Sequence, residues 1–173
     1  VRLGGSIRHL RGSDAGPTGM LLVRPGRIRS VDIARIALER ALLPPSQAAR
    51  PSASVLGFGE GRAVVCYTLA EFANEREWIE KLLGWYMRGM RQPVHAFPNC
   101  ARAFAEAWVK GKGASPSQAA EKAWLEGEYP EGIDAFNALI SRHRGEAVLD
   151  EQFEAFASEV YVPLHRMLAK VKS

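Results

Sequence analysis

The chain is poor in the residues that most directly announce chemistry. Among its 173 residues only two are cysteine and four are histidine. Cys66 and Cys100 both fall in apolar runs and supply no disulfide framework, so a reducing compartment is the default expectation. His9, His95, His143 and His165 stand at no metal-ligand spacing to one another or to the cysteines, which leaves no zinc motif. No apolar run approaches the length of a membrane span and no signal peptide is visible, so the expectation is a cytoplasmic protein away from membranes. A phosphate-binding glycine loop is also missing. Gly57-Phe58-Gly59-Glu60-Gly61 lacks the Lys-Ser/Thr pair and the strand–turn–helix context, and reads as a hairpin turn. No serine sits in a nucleophile elbow. Lysine is absent from the first 62 residues.

Arginine takes that place. Ten arginines fall in those 62 residues, opposed only by Asp14, Asp32, Glu39 and Glu60. The segment therefore carries about +6 of a chain total of +4, leaving about −2 for the remainder. A solvated basic face accounts for such a bias. So does a contact surface for phosphates or for an acidic protein, since guanidinium forks suit both. The four carboxylates lie in segments that do not obviously converge on a metal. Apolar content of 47% and charged content of 24% are ordinary for one globular domain with a real core. The chain begins at Val1, within an apparent strand and without methionine, and is expected to be a piece of a longer polypeptide.

Patterning divides a single domain into a sheet-rich part, 1–67, and a helical part, 68–173. Arg2–Leu10 reads as a strand, Arg11–Gly19 as a loop and Met20–Val23 as a second strand. Arg24-Pro25-Gly26 is a turn signal, with Arg27–Arg29 returning as a hairpin partner. Ser30 caps a helix reaching about Leu43, with Ile33, Ile36, Ala37 and Ala41 inward, and Pro44-Pro45 ends it. Ser46–Ser54 reads as an exposed loop, and Val55–Phe58 with Ala63–Tyr67 as a hairpin. Thr68 and Glu71 have the form of a capping box leading into the first helix of the second part. Ser115-Pro116-Ser117-Gln118 is a strong helix start. Asp150 caps the last helix, which runs to Leu168 with a kink at Pro163.

The stretch around which the rest is organised runs from Trp78 to Trp108. Ile79, Leu82, Leu83, Tyr86 and Met90 form one stripe at helical spacing, and Pro93 stops that helix near Arg91. Val94, Ala96 and Phe97 make a short apolar link closed by Pro98. Asn99 can cap a second helix with Cys100, Ala101, Phe104, Ala105 and Trp108 along one face. Taken with Trp124, the tryptophans exceed what a core of this size needs, and tryptophan anchors interfaces.

Tyr86, Arg88, Gly89, Met90, Pro93, Val94 and Pro98 occupy the places of a "Y-R-x-G-(M/L)-x-x-P-L" segment followed by an apolar run and a proline. By these residues, extended by Trp85, the chain resembles the C-terminal domain of RecC, the gamma subunit of the helicase–nuclease exodeoxyribonuclease V. Ala119–Tyr129 and Phe153–Leu168 also resemble family segments. The resemblance implies an α/β (α+β-like) restriction-endonuclease-like fold that lacks its active site, a small mixed sheet followed by several helices. Related active nucleases carry strands resembling G-x-I-D-R-I and I-I-D-Y-K, whose Asp and Lys hold a metal and activate water. Here Arg8 replaces the first aspartate, while Val23 and Pro25 replace the Asp and Lys. The implied role is a non-catalytic scaffold that docks the RecD-type helicase subunit beside a RecB-type subunit and guides DNA. No catalytic residue, metal or cofactor is expected, and Arg8, Arg24, Arg27 and Arg29 are the expected partner- or DNA-binding residues. Two other readings stay open: an active metal-dependent nuclease, and an unrelated helical interaction module.

Overall fold

A computed structural model describes residues 9–13, 16–43, 51–59, 62–70, 74–111, 113, 115–126, 130–142 and 148–171. The chain divides into two compact units, residues 1–75 with 167–173, and residues 76–166. The first holds a mixed five-stranded sheet in the order β1-β2-β3-β4-β5. Its strands are β1 (Leu10–Ser13), β2 (Gly16–Arg27), β3 (Ser52–Phe58), β4 (Val64–Leu69) and β5 (Leu168–Val171). Only β2 and β3 run parallel, and the connection between them carries helix α1 (Ser30–Ala41), as a parallel pair requires.

Alternation builds the core of this unit. Met20 and Leu22 of β2 lie beside Ala53 and Val55 of β3, and all four are buried. Ile33, Ile36, Ala37 and Ala41 of α1 are buried as well, at the spacing of one helical face. Arg40 shares that face and is only 4% exposed. Its guanidinium donates to the Leu69 carbonyl and the Ala70 carbonyl, each at 2.9 Å, and its Nε lies 3.5 Å from Glu75 Oε1.

Several boundaries depart from the sequence expectations. Arg11–Ser13 and Gly16–Gly19 are not a loop but the ends of the β1–β2 hairpin. Arg24-Pro25-Gly26 is not a turn: β2 continues through it to Arg27, which pairs with Phe58. The pairing skips between Val23 and Arg27, so the proline, which has no N–H to give, sits in an irregularity of the ladder. A Cβ at Gly57 would meet Ile28 Cγ1 at 2.8 Å and the Gly26 carbonyl at 3.0 Å, so the irregular strand requires glycine opposite. Ser30 is the first helical residue, and the cap is Arg29. β3 starts at Ser52, three residues early, because Ser52–Ser54 pair with Gly19–Leu21. Thr68 caps no helix; it lies in β4, its hydroxyl 3.1 Å from that of Ser54. The last helix stops at Met167, and Leu168–Val171 pair antiparallel with β4 as an edge strand. The stretches Arg2–Arg8 and Pro44–Arg50 lie outside the described residues.

The second unit is helical. It contains most of α2 (Glu75–Gly89), then α3 (Pro98–Lys110), α4 (Pro116–Leu125), a 3-10 turn at Glu131–Ile133 and α5 (Ala135–Arg142). α6 (Glu151–Phe156) passes through a π turn, Ala157–Tyr161, into α7 (Val162–Met167). The expected kink at Pro163 takes that form: a proline cannot bond four residues back, and the widened turn ends with Val162 N–H donating to the Ala157 carbonyl. The capping box of Ser115 and Gln118 is present, Gly111 ends α3 in the left-handed conformation, and the Asp150 carboxylate accepts from Phe153 N–H at 3.0 Å.

The central stripe falls differently than expected. Trp78 and Trp85 of α2 are buried, whereas Tyr86 and Met90 are 62% and 68% exposed. The indoles win the core because each finds an acceptor there: Trp78 donates to the Val160 carbonyl at 3.0 Å and Trp85 to Glu159 Oε2 at 2.8 Å. Trp85 meets Phe156 edge-on, and Phe97 packs against Trp124 and Phe153. Two of the four tryptophans are thus core and not surface anchors; Trp124 is half-buried and Trp108 is half-exposed. The cap of α3 is Phe97 rather than Asn99, with Pro98 in the first turn.

The buried guanidinium yields the first prediction. Arg40→Met should lower unfolding free energy by about 3–5 kcal/mol, because it removes a buried guanidinium's bonds to two carbonyls and its ion pair with a buried carboxylate. Arg35→Met, which breaks only the exposed Arg35–Glu39 pair, should cost about 0.5 kcal/mol or less. Urea titrations compare the two directly, and equal midpoints would count against the anchoring role of Arg40.

Candidate functional site

The sequence points to the far end of β2 and the start of α1. Arg24 is half-buried there and turns toward Asp32, 3.5 Å from its Oδ2. The same carboxylate accepts from the Arg29 backbone N–H at 2.9 Å, and Asp32 N–H donates to the Arg29 carbonyl at 3.1 Å. An acidic residue in the first turn suits the partial positive charge of the helix end. Asp32 therefore joins Arg24 to the helix start and offsets its charge, while the side chains of Arg27 and Arg29 are exposed. These three arginines flank no turn; they follow an irregular strand end into a helix cap. Arg8 lies outside the described residues.

The same strand carries the positions compared above with a metal site. Val23 is 56% exposed and paired with Leu56, and Pro25 is exposed in the irregular stretch. Neither side chain has an atom that could bind a divalent cation. Among the described residues, no three of His, Cys, Asp and Glu gather into a possible metal set. Of the four early carboxylates, Asp32 is engaged as described, and Glu39 pairs with Arg35 at 3.0 Å. Asp14 and Glu60 lie outside the described residues.

In the helical unit several buried or half-buried polar groups hold helix ends. Glu131, 8% exposed, accepts from the backbone N–H groups of Asn99 at 2.9 Å and Cys100 at 2.8 Å, and so caps α3 from a distance in sequence. Burial first, and the Glu131 carboxylate second, push the Cys100 thiol far above its ordinary range, which makes it a poor nucleophile. Burial likewise raises the Tyr161 phenol. His95, 3% exposed, places Nδ1 3.0 Å from Asp150 Oδ1, and its backbone N–H donates to Gln152 Oε1 at 3.0 Å. Burial works against charge on Asp150, but bonds from Phe153 N–H and the His95 ring outweigh it and hold the carboxyl below the usual carboxylate range. The Glu131 cap and the His95–Asp150 pair escaped the sequence reading, since their partners are 31 and 55 residues apart.

These features describe a mixed α/β protein whose described polar groups serve structure, with an arginine-rich strand end and an exposed apolar helix face. The family described as RecC C-terminal domain matches residues 1–108, most of the chain, and the chain belongs to that family. Membership implies a role in the RecBCD complex, exodeoxyribonuclease V, and with it RecB, RecD and DNA as the partners of that assembly. No curated protein matches the chain. Among the described residues, no helix is long and apolar enough to cross a membrane.

Two measurements follow from these surroundings. Iodoacetamide applied to the folded chain near pH 8 should alkylate Cys66, which is half-buried, well before Cys100; mass spectrometry reads the order, and early labelling of Cys100 would contradict its surroundings. The Asp150 carboxyl, lowered on folding, stabilises the fold fully above its unfolded pKa of about 3.9, and that contribution disappears as pH falls through the lower folded value. Asp150→Asn should accordingly be less stable than the parent at pH 6, and the difference should shrink below about pH 4. A gap that widens on acidification would reverse the assignment.

Proposed function

We propose that the chain is a non-catalytic scaffold domain of an exodeoxyribonuclease V gamma subunit. In this reading it keeps a restriction-endonuclease-like core without that fold's metal site. It docks the RecD-type helicase subunit beside a RecB-type subunit, and it guides DNA during double-strand break repair by homologous recombination in the cytoplasm. The observation that carries the reading is β2 itself, with a hydrocarbon at Val23 and a proline ring at Pro25, positions that the resemblance sets against the Asp and Lys of active nucleases. A mixed sheet with a helical crossover between parallel strands is compatible with that core. Unwinding, ATP hydrolysis and cleavage then belong to the other subunits.

Arg8, Arg24, Arg27 and Arg29 are the residues proposed to touch a partner or DNA. Arg27 and Arg29 are exposed, and Arg24 lies against Asp32. Contacts to phosphates carry no base information, so any DNA binding is sequence-independent.

Three assays on the purified chain test the proposal. Linear duplex DNA with Mg²⁺ or Mn²⁺ should remain uncut, and metal-dependent cutting lost on changing Asp14, Asp32 or Glu60 would restore the nuclease reading. Binding to DNA should be weak and fall steeply between about 50 and 200 mM salt. In pull-down, the chain should capture a RecD-type subunit from the same source, and reversing Arg24, Arg27 and Arg29 to glutamate should abolish capture. The pair Arg27→Glu and Arg29→Glu, which spares the Arg24–Asp32 contact, controls for misfolding. Capture unchanged in both variants rules out this arginine surface; no capture by the intact chain rules out docking.

A further inference from the structure

Helix α2 is apolar on two sides. Trp78 and Trp85 mark one of them, buried and hydrogen-bonded through both indoles. Ile79, Leu83, Tyr86, Met87 and Met90 mark the other, at steps of three and four residues within an arc of about 100°. Met90 stands just past the end of α2, but its N–H donates to the Tyr86 carbonyl at 3.0 Å, so the helical turn carries through it. Ile79 and Leu83 are half-buried, while Tyr86, Met87 and Met90 are 62%, 52% and 68% exposed. Three large apolar side chains side by side in water are unlike the scattered singles of an ordinary surface.

Charge of both signs rims this stripe along one side. Glu80 stands near its start, 3.0 Å from Arg76 in a pair whose side chains are both largely exposed. Arg91 stands at its end, one turn beyond Met87, exposed and without a carboxylate partner among the described residues. Gln92 N–H donates to the Arg88 carbonyl at 3.0 Å, which keeps Arg91 within the last turn. Residues 80 and 91 are about three turns apart, and whole turns return them to the same rim. Lys81, bonded to Glu159, and Arg88, lying over the Trp85 ring, sit farther round the helix with Glu77. We infer that the chain self-associates through this stripe, two copies of α2 packing antiparallel about a twofold axis. The surface is distinct from the arginines of β2 and α1, and the contact is independent of the docking role proposed above.

The order of the charges selects a second copy. A twofold axis perpendicular to both helices keeps the charged rim on the same side and exchanges its ends. Glu80 of each copy then meets Arg91 of the other, between that arginine and its own Arg76. The same axis passes close to Tyr86, interleaves Leu83 and Met87 across it, and brings Ile79 of one copy within about 3 Å, along the axis, of the level of Met90 of the other. A parallel pair would oppose Glu80 to Glu80 and Arg91 to Arg91. An unrelated helix would need the reverse order, base before acid, at the same spacing; a second copy has it by symmetry, as an isologous contact requires. Nucleic acid fits poorly, because Glu80 repels phosphate and only Tyr86 offers a flat face for stacking. One helix stripe is small beside the roughly 800 Å² per partner of a standard interface, so the dimer is weak and reversible, and methionine adapts to such a contact.

Sedimentation equilibrium of the purified chain from about 5 to 500 µM tests this, a range that spans weak association. The parent should pass from monomer to dimer. Met87→Ser with Met90→Ser should keep the parent unfolding midpoint and weaken the dimer at least about tenfold. Glu80→Arg alone and Arg91→Glu alone should each weaken it, because each sets like charges together at both ends of the contact. An equimolar mixture of those two single variants should associate at least as well as the parent, since every rim charge then meets its opposite. That rescue is the signature of antiparallel pairing. A parent that stays monomeric throughout overturns the inference. So does a dimer indifferent to the methionine pair, which lies elsewhere on the chain. Loss in both charge variants without rescue in the mixture overturns the antiparallel arrangement and the inference with it.

Discussion

The sheet unit depends on one guanidinium placed where no charge would settle unaided. Arg40 is the single charged side chain on the buried side of α1, and desolvating it is costly unless every donor is engaged. Two of its nitrogens donate to the Leu69 and Ala70 carbonyls, and its Nε faces the Glu75 carboxylate as an ion pair, at the point where β4 ends and α2 begins. A strand end leaves carbonyls without ladder partners, and a helix start favours a negative group; one arginine serves both. It therefore fixes where strand gives way to helix. A lysine could not make the same forked contact, which gives the absence of lysine from this segment one physical reason among its surface consequences.

What could be read beforehand were features that close within a few residues. Ser115 with Gln118, Gly111 after α3 and Asp150 before α6 bond to groups three or four positions away, so local chemistry decides them. The mixed α/β character followed from the short apolar strand runs Met20–Val23 and Val55–Phe58 and from the helical periods after them. The larger misreadings involve distant partners. Arg24-Pro25-Gly26 has the composition of a turn, yet β3, reached only after α1, supplies a parallel neighbour that keeps it extended. Leu168–Val171 continues a helical pattern, but it lies beside β4, which provides a ladder for it. Thr68 and Glu71 satisfy the capping spacing, and strand pairing overrides it.

The candidate site was legible in identity more than in arrangement. The arginines of β2 and α1 stood out by composition, but not that Asp32 would join Arg24 to the helix cap and leave Arg27 and Arg29 as the exposed pair. Periodicity found the Ile79–Met90 stripe and assigned it to the core. Period alone cannot say which of two apolar stripes the core takes. That choice fell to tryptophan, whose large rings and N–H groups found Val160 and Glu159 more than seventy residues on.

The resemblance to the RecC family separates along the same line. Within its central segment, Trp85 and Phe97 are buried and hold the unit together, whereas Tyr86, Arg88 and Met90 are exposed, with Arg88 lying over the Trp85 ring. A motif whose members split between core and water cannot be explained by packing alone. Burying a large side chain that is left exposed is worth roughly 1.5–3 kcal/mol, so a fold under pressure only for stability would replace the exposed members with polar residues at little cost. Tyr86, Met87 and Met90 nevertheless stand together at one helix end, beside the exposed Arg91.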